Sequence, residues 1–443
     1  MTQKRVHFIS LGCPKNRVDT ETMLAQLSDD GCEMTANADD ADIVVVNTCA
    51  FVEDAKVESI ETILEMTDRK EAGEIDKLVV TGCLAQRYPD ELAAEMPEVD
   101  HFVGTNDLNL VTEILDGRTG GRISVGDPDR RDFNWDAPRY NSMAGHTAYL
   151  KVAEGCSNTC AFCIIPTLRG PQRSRSIDSV VKEATALAEQ GVVEFNLIAQ
   201  DLTAWGYDLK PRQNLTDLLK ALVKVDGIHW IRLMYAYPRS FPKGLVELMA
   251  AEDKIVPYLD MPLQHISDQV LKGMKRGTRG EAIRKRVAEL RSAIPNVCLR
   301  TTMLVGYPGE TEDDFEELVE FIKEARFERL GAFAYSREEG TPSYELDGQL
   351  DAETKAKRLD RLMFEQRTIA REHNEALIGR EVDVLVEKRS DESDLVWIGR
   401  TQFQAPEIDG ITYLGSADHV KPGVIVKAII TQSTDYDLVA EPV

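Results

Sequence analysis

Cys156, Cys160 and Cys163 stand in a C-x3-C-x2-C spacing within the run Gly155-Cys156-Ser157-Asn158-Thr159-Cys160-Ala161-Phe162-Cys163. Three thiolates in one short loop can converge on a single metal centre. A zinc site draws on paired ligands, C-x2-C twice or with two histidines, and no such pairing follows here. Ferredoxin-type loops supply four cysteines to each cubane. Three would leave one iron of a [4Fe-4S] cluster without a protein ligand, open to a further molecule. Buried structural cysteines have no reason to cluster at this spacing.

Three more cysteines repeat one placement. Leu11-Gly12-Cys13-Pro14, Asn47-Thr48-Cys49-Ala50 and Thr81-Gly82-Cys83-Leu84 each follow a strand-like apolar run. In an open parallel sheet the carboxyl ends of the strands share one edge, where ligands bind. Cys13, Cys49 and Cys83 therefore become neighbours in space, and Gly12 and Gly82 let the backbone approach a bulky ligand. A second three-cysteine cluster site is expected. Cys32, in a helix-ending turn, and Cys298, in an apolar strand, read as bystanders.

The elements that must position these residues fall into three parts. Residues 1–117 alternate strands (Val6–Ser10, Ile43–Asn47, Lys77–Thr81, His101–Gly104) with helical patterns, which implies a flavodoxin-like or Rossmann-like parallel sheet. No G-x-G-x-x-G follows the first strand, so a dinucleotide has little support. Residues 118–145, rich in Gly, Asp, Arg and Pro, read as a linker. Residues 146–378 resume the alternation, with strands at Tyr149–Val152, Glu194–Ala199, Trp230–Tyr235, Val256–Met261, Cys298–Val305 and Arg329–Tyr335. These make a partial (β/α)6 barrel whose functional groups gather at the strand carboxyl ends. Gln200 and Asp201 after the second strand, and Gly306, Gly309 and Glu310 after the fifth, are candidate cofactor-binding residues; turn chemistry accounts for either segment equally well. Arg169, Arg173 and Arg175 could pair with carboxylates or form a solvated basic face. Residues 379–443 read as a small antiparallel β-barrel, with strands at Glu381–Glu387, Leu395–Thr401, Ile411–Leu414 and Val424–Thr431.

Composition narrows the class. At 443 residues and 43% hydrophobic content the chain suits a multidomain globular protein. No segment approaches the roughly 20 apolar residues of a membrane span. The chain runs straight into Val6–Ser10 without a signal-peptide core, so a cytoplasmic location with reduced cysteines is expected. The net charge of −24 is uneven: −16 over residues 1–138, −2 over 139–378 and −6 over 379–443. Such acidity favours basic partners over nucleic acid, although it also serves solubility.

The C-x3-C-x2-C loop resembles the signature of the radical S-adenosylmethionine (SAM) superfamily, in which the amino and carboxylate groups of SAM take the open iron. The two cysteine triads in this order, followed by a small barrel, resemble the methylthiotransferase family of that superfamily across essentially the whole chain. Ser10-Leu11-Gly12-Cys13-Pro14-Lys15-Asn16, Gly155-Cys156-Ser157-Asn158 and Pro262-Leu263-Gln264-His265-Ile266-Ser267 are similar to its ribosomal-protein branch. The tRNA-modifying branch has Gln-Met where Pro14-Lys15 stand. The resemblance implies a SAM-cleaving [4Fe-4S] cluster on Cys156, Cys160 and Cys163, an auxiliary [4Fe-4S] cluster on Cys13, Cys49 and Cys83, and a C-terminal TRAM domain. It implies an enzyme that replaces an unactivated C–H by C–S–CH3 at the β-carbon of an aspartate. The substrate would be the twelfth protein of the small ribosomal subunit. No side-chain base removes such a proton at neutral pH, which makes a radical route with an external electron donor the expected chemistry. Two alternatives remain: methylthiolation of a tRNA adenosine, and an electron-transfer or cluster-scaffold protein without substrate chemistry.

Overall fold

The structure, a computed structural model, describes residues 4–130, 134–239, 241–415, 417 and 420–443; residues 131–133 of the expected linker lie outside the described residues. The chain divides into two compact units. One combines Met1–Ser142, Ala153–Arg175 and Glu338–Thr341; the other combines Met143–Val152, Ser176–Arg337 and Pro342–Val443.

The first unit is built on a six-stranded parallel sheet of β1 (Arg5–Ser10), β2 (Glu33–Met34), β3 (Ile43–Thr48), β4 (Lys77–Gly82), β5 (His101–Val103) and β6 (Ile123–Ser124), in the order β2-β1-β3-β4-β5-β6. Stepping outward on both sides of β1 is the flavodoxin-like order, and it confirms the expected parallel sheet. β3 reads Ile43-Val44-Val45-Val46-Asn47-Thr48 and is buried along its whole length. That is the composition of a central parallel strand covered on both faces. The cover comes from α1 (Pro14–Asp29), α2 (Glu53–Glu71), α3 (Cys83–Arg87), α4 (Pro89–Glu95) and α5 (Val111–Leu115). The stretch expected as a linker contributes β6, which pairs with β5 through Phe102↔Ile123 and Val103↔Ser124. Its surroundings are Gly- and Arg-rich, so a two-residue strand there has no periodicity of its own to betray it.

Beyond β7 (Thr147–Lys151) of the second unit, the chain contributes β8 (Ala153–Glu154), α6 (Ile165–Arg169) and β9 (Arg173–Ser174) to the first unit. β8 and β9 pair antiparallel and clasp the base of the C-x3-C-x2-C loop.

In the second unit β7, β10 (Glu194–Ile198), β11 (Trp230–Leu233), β12 (Ile255–Asp260), β13 (Cys298–Val305) and β14 (Arg329–Ala334) form a parallel sheet in sequential order, the expected partial (β/α)6 barrel. Helices α7 (Ile177–Glu189), α8 (Leu215–Leu222), α9 (Leu245–Ala251), α10 (Asp268–Gly273), α11 (Gly280–Ala293) and α12 (Glu312–Ala325) alternate with these strands. Ser176 caps α7 by accepting from the Ser179 amide, as its position before the apolar stripe predicts. The long α13 (Ala352–Glu375) leads to a closed barrel of β15 (Glu381–Arg389), β16 (Val396–Thr401), β17 (Thr412–Gly415), β18 (Ile425–Ser433) and β19 (Leu438–Pro442). The barrel departs from a purely antiparallel one: β17 and β19 pair in parallel. β19, with Glu441 and Pro442 at its end, carries too weak a strand pattern to be read from sequence.

One buried charge cluster ties the closed barrel to the sheet. Glu194 of β10 accepts from Arg232 of β11 at 3.0 Å and from Arg400 of β16, and Arg400 also reaches Glu387 at 2.6 Å. Burial alone would push Glu194 up, but Arg400 and Arg232 outweigh it and hold the carboxyl at about 2.

Candidate iron–sulfur and cofactor sites

Strand register gathers the first cysteine triad. Ser10 of β1 stands beside Asn47 of β3, Asn47 beside Thr81 of β4, and Thr48 beside Gly82. Cys13, Cys49 and Cys83 leave these three aligned ends together, as the strand-end placement predicts. Each cysteine is fixed by a different local device. Cys13 is the N-cap of α1, with Pro14 at the first helical position, and Cys83 opens α3. The backbone of Cys49 is clamped by the buried Ser59 of α2, whose Oγ accepts from its amide and donates to its carbonyl, each at 3.0 Å. Gly82 turns the chain at φ +97, and a Cβ there would stand 2.6 Å from the Thr48 carbonyl oxygen. A Cβ on Gly12 (φ +85) would stand 2.7 Å from Cys49 Cβ. The two glycines thus let the three turns approach one another closely.

The thiols lie within electrostatic reach of one another. Burial pushes the Cys49 thiol up to about 12, and Cys83 and Cys13 push it the same way. Burial raises Cys83 as well, opposed by the guanidinium of Arg169. A metal centre that binds here must displace these protons. Among the described residues no three Cys, His, Asp or Glu side chains converge closely enough for one metal ion. The cysteines of a cubane ligate different irons and stand apart by the width of the cluster, so three thiols gathered at aligned strand ends suit a cluster rather than a single ion.

Arg169 is the cation beside this triad. It is 1% exposed. Its guanidinium donates to Asp19 at 2.9 Å, to Glu154 at 3.0 Å, to Cys83 Sγ at 3.7 Å and to Asn16 Oδ1. Asn16 in turn donates to the carbonyls of Leu11 (3.1 Å) and Thr48 (2.8 Å), which lie just before Cys13 and Cys49 in sequence. Of the three arginines after the cysteine loop, Arg169 therefore pairs with carboxylates. Arg173 and Arg175 bond the backbone carbonyls of Pro128 and Trp135. Sequence reasoning missed Asn16 and Asp19 as partners; the Pro14 helix start was the one signal that the first turn of α1 begins at the cysteine.

The second triad lies on the clasped loop. Cys160 is buried, and Cys156 and Cys163 are half-buried. The Cys163 amide donates to the Cys160 carbonyl at 3.2 Å, the Cys156 amide to the Gly170 carbonyl at 3.0 Å, and Asn158 to Cys156 Sγ at 3.6 Å. Cys298 bonds the Phe403 carbonyl at 3.6 Å, consistent with a structural role.

The remaining candidates sit at carboxyl ends of strands in the second unit. Asp201 is buried and caps the turn after β10, accepting from Thr203 Oγ1 (2.7 Å) and the Ala204 amide (3.2 Å). Gln200 precedes it and is half-buried. After β13, Glu310 folds its carboxylate back onto the Gly306 amide at 2.8 Å and pairs with Arg358 at 2.6 Å. Gly309 donates to the Gly348 carbonyl at 2.9 Å. Asp201 and Glu310 thus hold turns, and the Gly306 and Gly309 amides at the second of them are engaged. His265, 0% exposed, stands 3.6 Å from Glu310, and burial pushes its imidazole down to about 3.

Comparison with known proteins agrees with this layout. Residues 5–104 match the family described as uncharacterized protein family UPF0004, residues 150–322 the radical SAM superfamily and residues 378–443 the TRAM domain. In fold, the chain is similar to the radical SAM methyltransferase TsrM from Kitasatospora setae (TM-score 0.59, 19% identity, 77% of each chain). It is 54% identical over 439 residues to the ribosomal protein uS12 methylthiotransferase RimO of Anaeromyxobacter sp. (strain K), covering 99% of this chain and 93% of that protein. The same enzyme of Myxococcus xanthus is 52% identical over 443 residues, covering 100% of this chain and 92% of that protein. With triads, sheet order and closed barrel in place over this full length, the chain belongs to the RimO family of ribosomal protein uS12 methylthiotransferases.

Proposed function

We propose that this chain is a radical SAM enzyme that methylthiolates the β-carbon of an aspartate in ribosomal protein uS12. The observation that carries the reading is identity above one half over the whole length of the uS12 enzymes. Cys156, Cys160 and Cys163 would hold the SAM-cleaving [4Fe-4S] cluster, and Cys13, Cys49 and Cys83 the auxiliary one. When bound, the clusters and SAM would supply the one-electron chemistry and the methylated sulfur that replacing an unactivated C–H demands.

The protein's own part is placement. The β8–β9 clasp fixes the loop that carries one triad, and the β1, β3 and β4 ends fix the other. Gln200 and the Gly306–Gly309 turn would take SAM, with Asp201 and Glu310 keeping those turns in shape. His265 stays neutral near pH 7 and adds no charge beside Glu310. The work divides among an N-terminal methylthiotransferase domain (1–117), a radical SAM domain (146–378) and a TRAM-like barrel (379–443). The electron donor would be external, and the acidic surface suits a basic ribosomal protein better than tRNA.

Anaerobic turnover with SAM, a strong reductant and purified uS12, read by mass spectrometry, tests this. The expected product carries one added methylthio group on an aspartate. An unmodified uS12 beside methylthioadenosine in a tRNA digest would assign the chain the other substrate.

A further inference from the structure

The two triads are separate in sequence, yet one side chain belongs to both settings. Arg169 closes α6, the short helix that begins two residues after Cys163. The next residue, Gly170, accepts from the Cys156 amide at 3.0 Å. Its guanidinium nevertheless lies in the other site, against Cys83 Sγ at 3.7 Å and Asn16 Oδ1. Two carboxylates, Asp19 at 2.9 Å and Glu154 at 3.0 Å, hold it there. Asp19 comes from the first turns of α1, and Glu154 from the strand that opens the C-x3-C-x2-C loop. A guanidinium buried to this degree needs a dedicated set of acceptors, because its desolvation is costly unless each side is paired. Here one acceptor is a cysteine sulfur of the N-terminal triad. A positive charge and an N–H donor aimed at a thiolate favour the more negative, reduced state of a cluster bound to it.

We propose that Arg169 is a positioning residue of the N-terminal cluster site that sets the cluster's reduction potential, anchored from the loop that carries the second triad. The inference rests on the two-cluster reading above. Arg169 holds Asn16 and Cys83 in register and supplies a positive charge to the sulfur of Cys83. Glu154 offsets part of that charge.

The test uses the full chain, reconstituted anaerobically, with Cys156, Cys160 and Cys163 replaced by Ala so that one cluster reports. Its midpoint potential is measured by EPR-monitored redox titration, alongside iron per chain. In this background Arg169→Gln should shift the potential downward, Arg169→Lys should restore it toward the parent, and Glu154→Gln should shift it upward. Equal potentials in all four proteins, or equal shifts in the Gln and Lys variants, would overturn the proposal and leave Arg169 a structural ion pair. If Arg169→Gln fails to hold its cluster, the Glu154→Gln potential decides: an upward shift supports the proposal and no shift overturns it. Failure of the underlying reading looks different, because the parent background would then bind no cluster at all.

Discussion

Among single residues, the convergence of Cys13, Cys49 and Cys83 was legible because their placement repeats, the same strand-end position three times. Their partners were not. Asp19 and Arg169 lie 150 positions apart, and nothing local to either marks the pair. The division of labour between triads predicts that Cys13→Ala leaves reductive SAM cleavage near the parent rate while methylthio transfer disappears. Quantifying 5′-deoxyadenosine and modified uS12 in one reaction checks both halves; methylthiolated product at the parent rate would make Cys13 merely structural. His265 supplies a pH prediction. Its folded value of about 3 lies below the ordinary imidazole value of roughly 6.5, so between these limits the unfolded chain binds a proton that the folded chain refuses. Its contribution is intact above about pH 6.5 and is lost as pH falls toward 3. Comparing unfolding midpoints of the parent and His265→Gln from pH 7 to pH 4 should show a shallower acid decline in the variant.

At the level of elements, the six barrel strands and the central strands of the N-terminal sheet were readable because each is a long apolar run between turn signals. β6 and β19 escaped because pairing, not pattern, makes them strands: one completes an edge, the other closes a barrel. The turn after β4 gives a sharp test. Gly82→Ala must place a Cβ against Thr48 and Asn47 at a positive φ, so the turn has to open. Iron should fall from about eight to about four per chain, since each cubane holds four. SAM cleavage should persist, and a variant retaining all its iron would show that the turn is not what holds Cys83. The Glu194 cluster tests the docking of the closed barrel. Glu194→Gln removes the carboxylate that Arg232 and Arg400 share and leaves Arg400 with Glu387 alone, a loss of about 3–5 kcal/mol in stability. A denaturant midpoint unchanged from the parent would assign the docking to apolar contacts instead.

For the molecule as a whole, the net charge of −24 predicts how the substrate is met. Association with uS12 should slow steeply as salt rises from low to physiological ionic strength, because surface charge acts mainly on encounter. Bulk tRNA should bind more weakly at every salt concentration, and stopped-flow or equilibrium binding at matched ionic strength measures both. The assignment of residues 153–175 to the N-terminal unit was not readable from sequence, since it depends on buried pairs such as Arg169 with Asp19. That unit also takes in Glu338–Thr341, where Glu338, 2% exposed, pairs with Arg87 and Lys56. This interleaving bears on biogenesis. Domains commonly fold in turn as they leave the ribosome, N-terminal first. Here the first sheet can form early, but Asp19 waits for Arg169, and Arg87 and Lys56 wait for Glu338. The nascent N-terminal unit therefore stays unfinished until Thr341 has emerged.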